Sequence, residues 1–154
     1  KTNKTKKDVE ILEGQLIDSA IDGAKYETNS GITGYTDEKG TFTYKETDKT
    51  ITFKVGSLII AKDFDLLKIN SDGIILPADI VGVDRNNTIN EKLVKLLRVL
   101  QSLDKDNNAN NGIFIDDNTK GYLSEDINII DADITKLETI VKNAQKTFKS
   151  QRKS

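Results

Sequence analysis

The chain has 154 residues, of which 36% are hydrophobic, and a net charge of −2, which together predict one domain with a modest core. It contains no cysteine and no histidine, which excludes disulfides, thiol nucleophiles, the Ser-His-Asp triad and most zinc chemistry. Residues 8–135 hold 13 basic and 24 acidic side chains, so nucleic-acid binding is not expected, because phosphate contacts need concentrated positive charge.

The two ends of the chain are basic and polar. Residues 1–7 carry four lysines and no acid, and we expect residues 1–10 to form a flexible tether. The first residue is lysine and no signal peptide precedes it, which suggests a trimmed start. Residues 149–154 are predicted to be a disordered tail, and both ends are better explained as solvated tails than as contacts to an anionic membrane. No apolar run approaches a transmembrane length.

Residues 11–82 carry short strand-like runs separated by turn residues. In the run T-F-T-Y, the side chains of Phe42 and Tyr44 share one face of a strand. The stretch G-I-T-G-Y-T-D-E-K-G is best explained as a hairpin with turns at Gly34 and Gly40. Short strands with a turn about every eight to ten residues predict an antiparallel β-sandwich rather than βαβ units.

The pattern changes to a helical period in residues 83–148, so the predicted fold class is α+β, with C-terminal helices packed on the sandwich. Leucines recur on one face of residues 89–103, and such a wide apolar face predicts deep burial. Thr88 and Glu91 have the spacing of a capping box at the start of this helix.

Two further helices are expected after this one. One begins at about Ile134, with Asp133 or Thr135 as its cap. Between the two long helices, the stretch Y-L-S-E-D-I-N-I-I suggests a short helix opened by Ser124.

The most specific chemical feature is a run of oxygen-bearing side chains directly after the leucine-rich helix. They are Asp104, Asp106, Asn108, Asn110 and Asp116. Alternate residues of a tight loop can direct their oxygens to one point, and Asp and Asn tolerate the left-handed backbone that such a loop needs. These five residues are the predicted metal ligands, and calcium suits them better than magnesium because it accepts irregular oxygen coordination.

The loop departs from the calcium loop of an EF-hand. Counted from Asp104, position 6 is Ala109 instead of glycine and position 12 is Ile115 instead of an acid. A site with a missing ligand should bind calcium weakly, with a Kd of about 10⁻⁴ M or weaker. The alternative is that these polar residues only cap the helix and form turns.

Other candidate sites are weaker. Two pairs of acids, Asp63 with Asp65 and Asp131 with Asp133, raise the possibility of a carboxylate-dependent hydrolase. Aromatic residues make up only 6% of the chain and tryptophan is absent, so stacking of sugar rings has little support. Helix caps and solvated turns explain these acids better. Gly-x-Ser-x-Gly and glycine-rich phosphate loops do not occur in the sequence.

The stretch GQLIDSAIDGAKYETNSGITGYTDEKGTFTYKETDKTITFKVGSLIIA, followed by ILPADIVG and KLLRVLQSLDKDNNANNGIFID, resembles a module of bacterial surface lipoproteins and large secreted adhesin-like proteins. Its first part is also similar to the carboxypeptidase-regulatory, transthyretin-like β-sandwich. That similarity rests on Gly23-Ala24 and on T-D-x-x-G-x-F-x-Y at positions 36–44. The resemblance covers about residues 14–116. Family members tend to have Gly, Asp and Pro where this chain has N-N-A-N at positions 107–110.

The resemblance implies an exported protein at the cell surface, outer membrane or periplasm, without catalytic activity. Its expected partners are a protein or a cell-surface glycan, and the membrane is reached only through a lipid anchor outside this chain. Two alternatives remain open from the residues. One is a hydrolase of cell-wall sugar or peptide that uses paired carboxylates, which predicts a concave pocket with two acids, at least one of raised pKa. The other is an accessory subunit that binds another chain through a helical face, which predicts an exposed apolar patch.

Overall fold

The computed structural model describes residues 9–17, 20–69, 71–87, 89–105 and 112–148, and it has strands first and helices later. The strands are β1 (Ile11–Leu16), β2 (Ile21–Asp22), β3 (Lys25–Thr28), β4 (Thr33–Tyr35), β5 (Thr41–Lys45), β6 (Thr50–Val55), β7 (Leu58–Asp65), β8 (Ile74–Ile75) and β9 (Ile113–Phe114). The helices are α1 (Pro77–Val81), α2 (Glu91–Leu103), α3 (Asp117–Gly121) and α4 (Ile134–Asn143), with a 3₁₀ turn at Leu66–Lys68. The predicted α+β class is confirmed.

Within these residues the strands form sheets with the orders β5-β1-β8, β4-β3-β6-β7 and β2-β9. The pairings of β1 with β5 and of β3 with β4 and β6 are antiparallel, and so is that of β6 with β7. The pairings of β1 with β8 and of β2 with β9 are parallel. Both parallel pairs join segments far apart in the sequence, so no local turn signal could have predicted them.

Aromatic rings join the two larger sheets. The ring centroid of Phe42 on β5 lies 5.1 Å from that of Phe53 on β6 in an edge-to-face arrangement, and 6.0 Å from that of Tyr26 on β3. Such pairs add roughly 0.5–1.5 kcal/mol beyond the burial of their surface. Phe42 and Tyr44 are both buried, as the strand alternation predicts.

The predicted turn at Gly34 is wrong, because Gly34 lies inside β4. A Cβ atom there would be 2.6 Å from the hydroxyl oxygen of Tyr26, so the glycine makes room for this ring. The turn between β3 and β4 lies earlier and includes Gly31, whose φ is +98°. The turn at Gly40 is confirmed, with a φ of +77°, and a Cβ there would meet the carbonyl oxygen of Leu16.

Helix α2 begins two residues later than the sequence predicts. Its N-cap is Asn90, whose side chain accepts hydrogen bonds from the amides of Lys92 and Leu93, so the capping box of Thr88 and Glu91 is not the start signal. Thr88 itself lies outside the described residues. Ile89 is 81% exposed and does not belong to the apolar face. The buried members of that face are Leu93, Leu96, Val99, Leu100 and Leu103, whereas Val94 and Leu97, which the helical period also places there, are half-buried.

The predicted short helix opened by Ser124 is also wrong. Its apolar residues instead run beside β7, where the amide of Ile59 donates to the carbonyl of Ile127 at 2.8 Å and the amide of Ile129 donates back at 3.0 Å. The spacing of these isoleucines therefore belongs to an extended segment that hydrogen-bonds to strand β7, and not to a helix.

Helix α4 is capped by Asp133, whose Oδ1 accepts from the amide of Lys136 at 2.8 Å. Side chains of strands and helices share one hydrophobic core.

Candidate functional site at the junction of α2 and β9

Asp104 ends α2 and fastens it to β9. Its side chain is 1% exposed, and its Oδ1 accepts a hydrogen bond from the amide of Phe114 at 3.0 Å. The amide of Lys105 donates to the carbonyl of Phe114 at 2.8 Å. These two bonds hold together the ends of the Asp/Asn-rich segment. They also fix the C-terminal end of α2 directly to β9.

Asp116 begins α3 on the other side of the same segment. Its Oδ1 accepts from the amide of Thr119 at 2.8 Å. This backbone hydrogen bond and the Thr119 hydroxyl hold the pKa of Asp116 below its usual value, against the smaller effect of burial. The ammonium groups of Lys146 and Lys105 lower the same pKa further. Asp116 is therefore an ionised helix cap.

Lys146 brings positive charge to this junction from the end of the chain. Its Nζ donates to the carbonyl oxygen of Asp104 at 3.2 Å, so it stabilises the C-terminal end of α2. Because Lys146 also acts on Asp116, one ammonium group lies near both acids. The sequence pattern did not indicate this contact, which joins residues 42 positions apart.

Three of the five predicted metal ligands, Asp106, Asn108 and Asn110, lie outside the described residues. The other two are Asp104 and Asp116, which the structure places at the two ends of the segment. Among the residues that the structure describes, no group of three acids has a geometry able to hold a metal ion. The metal site stays a prediction.

The paired acids singled out in the sequence mostly have structural contacts. Asp133 caps α4, and Asp65 accepts from the amide of Leu67 to open the 3₁₀ turn. Asp63 has a φ of +50° at a bulge in β7, where its amide donates to the hydroxyl of Thr52 at 2.9 Å. These contacts match the explanation by caps and turns.

A shallow acidic depression was not predicted from the sequence. It has a volume of about 470 Å³, and Glu13, Asp37 and Asp72 are among its lining residues. Hydrogen bonds from the backbone of Thr41 lower the pKa of Asp37. The amide of Ile74, and then Arg85, lower that of Asp72. The repeated Asp-x-x-Gly and Asp-Gly turn signals were the only indication of these positions.

The pKa of Asp22 is raised, first by burial and then by the nearby charges of Glu38 and Asp37, while Lys120 opposes the shift. Asp22 does not line the acidic depression. Asp37, which lines the depression, is thus one of the charges that raise the pKa of Asp22, while hydrogen bonds lower its own pKa and that of Asp72.

The apolar face of α2 packs into the core of this chain. Among the exposed large hydrophobic side chains, Ile89 and Ile134 line one depression of about 540 Å³ together with residues of α2. The exposed large hydrophobic side chains of the described residues belong to several elements. They are Ile11, Tyr35, Leu67, Ile89, Phe114, Tyr122 and Ile134.

Comparison with protein-family models, curated proteins and solved structures finds no match to this chain. Among the helices of the described residues, none has both the length and the apolar character needed to cross a bilayer.

Proposed function

We propose that this chain is a non-enzymatic module of an exported bacterial surface protein, a binding or spacer domain of a lipoprotein or an adhesin-like protein. Its two larger sheets would form a sandwich of the transthyretin-like type, and it would reside at the cell surface, outer membrane or periplasm. The observation that carries the non-enzymatic part of the proposal is the lowered pKa of two acids in the acidic depression. Asp37 and Asp72 are held ionised by hydrogen bonds, so neither is suited to donate a proton near neutral pH.

In this proposal, calcium binds the segment between Asp104 and Asp116 and stabilises the folded module. Two features of the described residues support it. The ends of the segment are hydrogen-bonded to each other, so little loop-closure entropy remains to be lost when an ion binds. The carboxylates at both ends contribute negative charge, which favours a hard cation. Lys146 already neutralises part of this charge, which is consistent with weak affinity.

The test of calcium binding is thermal melting in calcium and in chelator. If the Kd is about 10⁻⁴ M, about 10 mM calcium stabilises the folded state by roughly 2.7 kcal/mol. For a domain of this size, that corresponds to an increase in Tm of about 5–10 °C. The variant Asp106→Asn should lose most of the increase, while the matched variant Asp126→Asn, at an exposed position, should keep it. An equal Tm in calcium and in chelator would refute the calcium part.

The non-enzymatic part is tested separately. The chain is incubated with cell-wall peptidoglycan, and the release of reducing sugars and of free amines is measured. We expect no release above that of a heat-unfolded sample. Release that disappears in the variant Asp37→Asn, with the fold intact, would contradict the proposal and favour the hydrolase.

A further inference from the structure

The four-stranded sheet has an outer face that the core does not use. Buried side chains alternate with exposed ones along β3 and with half-buried ones along β6, so one side of each strand points away from the core. The antiparallel registers align these outward residues in rows across the sheet. The first row, from β4 to β7, is Tyr35, Lys25, Lys54 and Ile59.

This row places two positive charges directly opposite each other. Lys25 and Lys54 are register partners, which puts their Cβ atoms about 4.5–5.5 Å apart, an arrangement that like charges destabilise. Neither ammonium group forms an ion pair with a carboxylate of the described residues. Residues 8–135 carry a net charge of −11, so these two neighbouring lysines form a local positive site on a surface that is negative in sum.

An aromatic ring lies at the end of the row. Tyr35 is 62% exposed, and the Nζ of Lys120 lies 4.9 Å from its ring centroid. The side chain of Lys120 is only 15% exposed, so it lies against the ring and leaves the opposite side of Tyr35 to solvent. The row therefore combines an exposed ring with the ammonium groups of Lys25 and Lys54, whereas that of Lys120 is paired with Asp117 at 3.9 Å.

The neighbouring row is mixed in charge. It contains Glu27 opposite Thr52, and the adjacent bulge of β7 carries Lys62 and Asp63. The amide of Asp63 donates to the hydroxyl of Thr52, and this hydroxyl donates to the carboxylate of Asp63 at 3.4 Å. With Lys120 and its ion-pair partner Asp117 included, the face has four lysines and three acids, and Lys25 and Lys54 lie side by side in the row that ends at Tyr35.

We propose that this face binds an anionic glycan, with Lys25 and Lys54 pairing with its carboxylate, sulfate or phosphate groups and Tyr35 stacking on a sugar ring. The inference rests on the proposed function and names the partner class of that surface module. Charge complementarity supports it, because an anion between the two lysines removes their repulsion. The overall negative charge elsewhere would keep a polyanion on this one face.

The experiment measures the affinity of the whole chain for dextran sulfate, with uncharged dextran as the reference, at low salt. The double variant Lys25→Gln/Lys54→Gln removes the pair. The control Lys92→Gln/Lys142→Gln removes the same charge from exposed positions of α2 and α4. We expect the first variant to bind about fivefold to tenfold more weakly, as the loss of two exposed ion pairs implies, and the control to stay within about twofold of the native chain. The variant Tyr35→Ala should also weaken binding without any change in net charge.

Three results would overturn the inference. One is the absence of binding to dextran sulfate. Another is an equal loss in the two double variants, which would assign binding to diffuse charge, including the basic ends. The third is tighter binding to vesicles containing an anionic lipid, with the same dependence on Lys25 and Lys54, which would make the partner a membrane. None of these residues belongs to the Asp104–Asp116 segment. The outcome of the calcium-dependent melting test is therefore independent of the outcome of this binding test.

Discussion

The hydrogen bond between Asp104 and Phe114 should be a measurable source of stability in the absence of calcium. We consider two substitutions, both studied in chelator. Asp104→Ala removes the acceptor for the Phe114 amide and leaves a small space at a nearly fully buried position. Asp104→Asn keeps an oxygen in the same place but removes the charge.

The size of the effect follows from the contact. A hydrogen bond to a charged group contributes about 1.5–3 kcal/mol, so Asp104→Ala should lower the free energy of unfolding by about 2 kcal/mol. At 2–4 °C for each kcal/mol in a domain of this size, Tm should fall by about 4–8 °C. Asp104→Asn retains a neutral hydrogen bond and should cost under about 1 kcal/mol.

The assay is urea denaturation followed by circular dichroism, with Asp126→Ala as an exposed control that should change stability by less than about 0.5 kcal/mol. If Asp104→Ala unfolds at the same urea concentration as the control, the junction does not hold α2 against β9. Adding calcium then separates the two roles of Asp104. Both Asp104 variants should lose the calcium-dependent increase in Tm, whereas only Asp104→Ala should be clearly less stable in chelator.

Three other outcomes are expected. Leu100→Ala, at a fully buried position of α2, should cost about 3 kcal/mol in urea denaturation, while Leu67→Ala, at an 83% exposed position, should change stability by less than about 0.5 kcal/mol. Gly40→Ala should be more destabilising than Gly31→Ala, because both have positive φ but only Gly40 faces a backbone carbonyl; equal losses would contradict this. The lowered pKa of Asp116 means that its stabilisation is complete above its ordinary pKa of 3.8 and is lost as the pH falls through its folded value. The difference in stability between the native chain and Asp116→Asn should therefore be constant near neutral pH and shrink below about pH 4, and a difference unchanged at low pH would refute it.

Local patterns predicted the strand and helix content well where one face of an element is buried. The alternation in T-F-T-Y placed Phe42 and Tyr44 on the core side, and the leucines of α2 marked its buried face. The turn assigned to Gly34 shows the limit of such patterns. Gly34 looks like a turn residue, yet it lies in a strand because the Tyr26 ring occupies the space of a side chain. Sequence spacing does not reveal a ring from another strand.

The candidate site was predicted only in part. The sequence indicated that Asp104 and Asp116 bracket a polar segment after a helix. It did not indicate the contact of Lys146 with Asp104, since that contact depends on where α4 ends in space. The row of Tyr35, Lys25 and Lys54 was also hidden, because it exists only once three strands are paired in one register.

The sequence by itself determined the absence of thiol and imidazole chemistry, the order of strands before helices, and the residues that must be buried. These properties depend on composition and on periods of two and 3.6 residues, which are local. Only the tertiary structure decided the parallel pairings of β1 with β8 and β2 with β9, the hydrogen bond that joins Asp104 to Phe114, and the charges that share the outer face of the sheet. Each of these depends on contacts between segments distant in the chain, whose positions are set by the packing of the whole core.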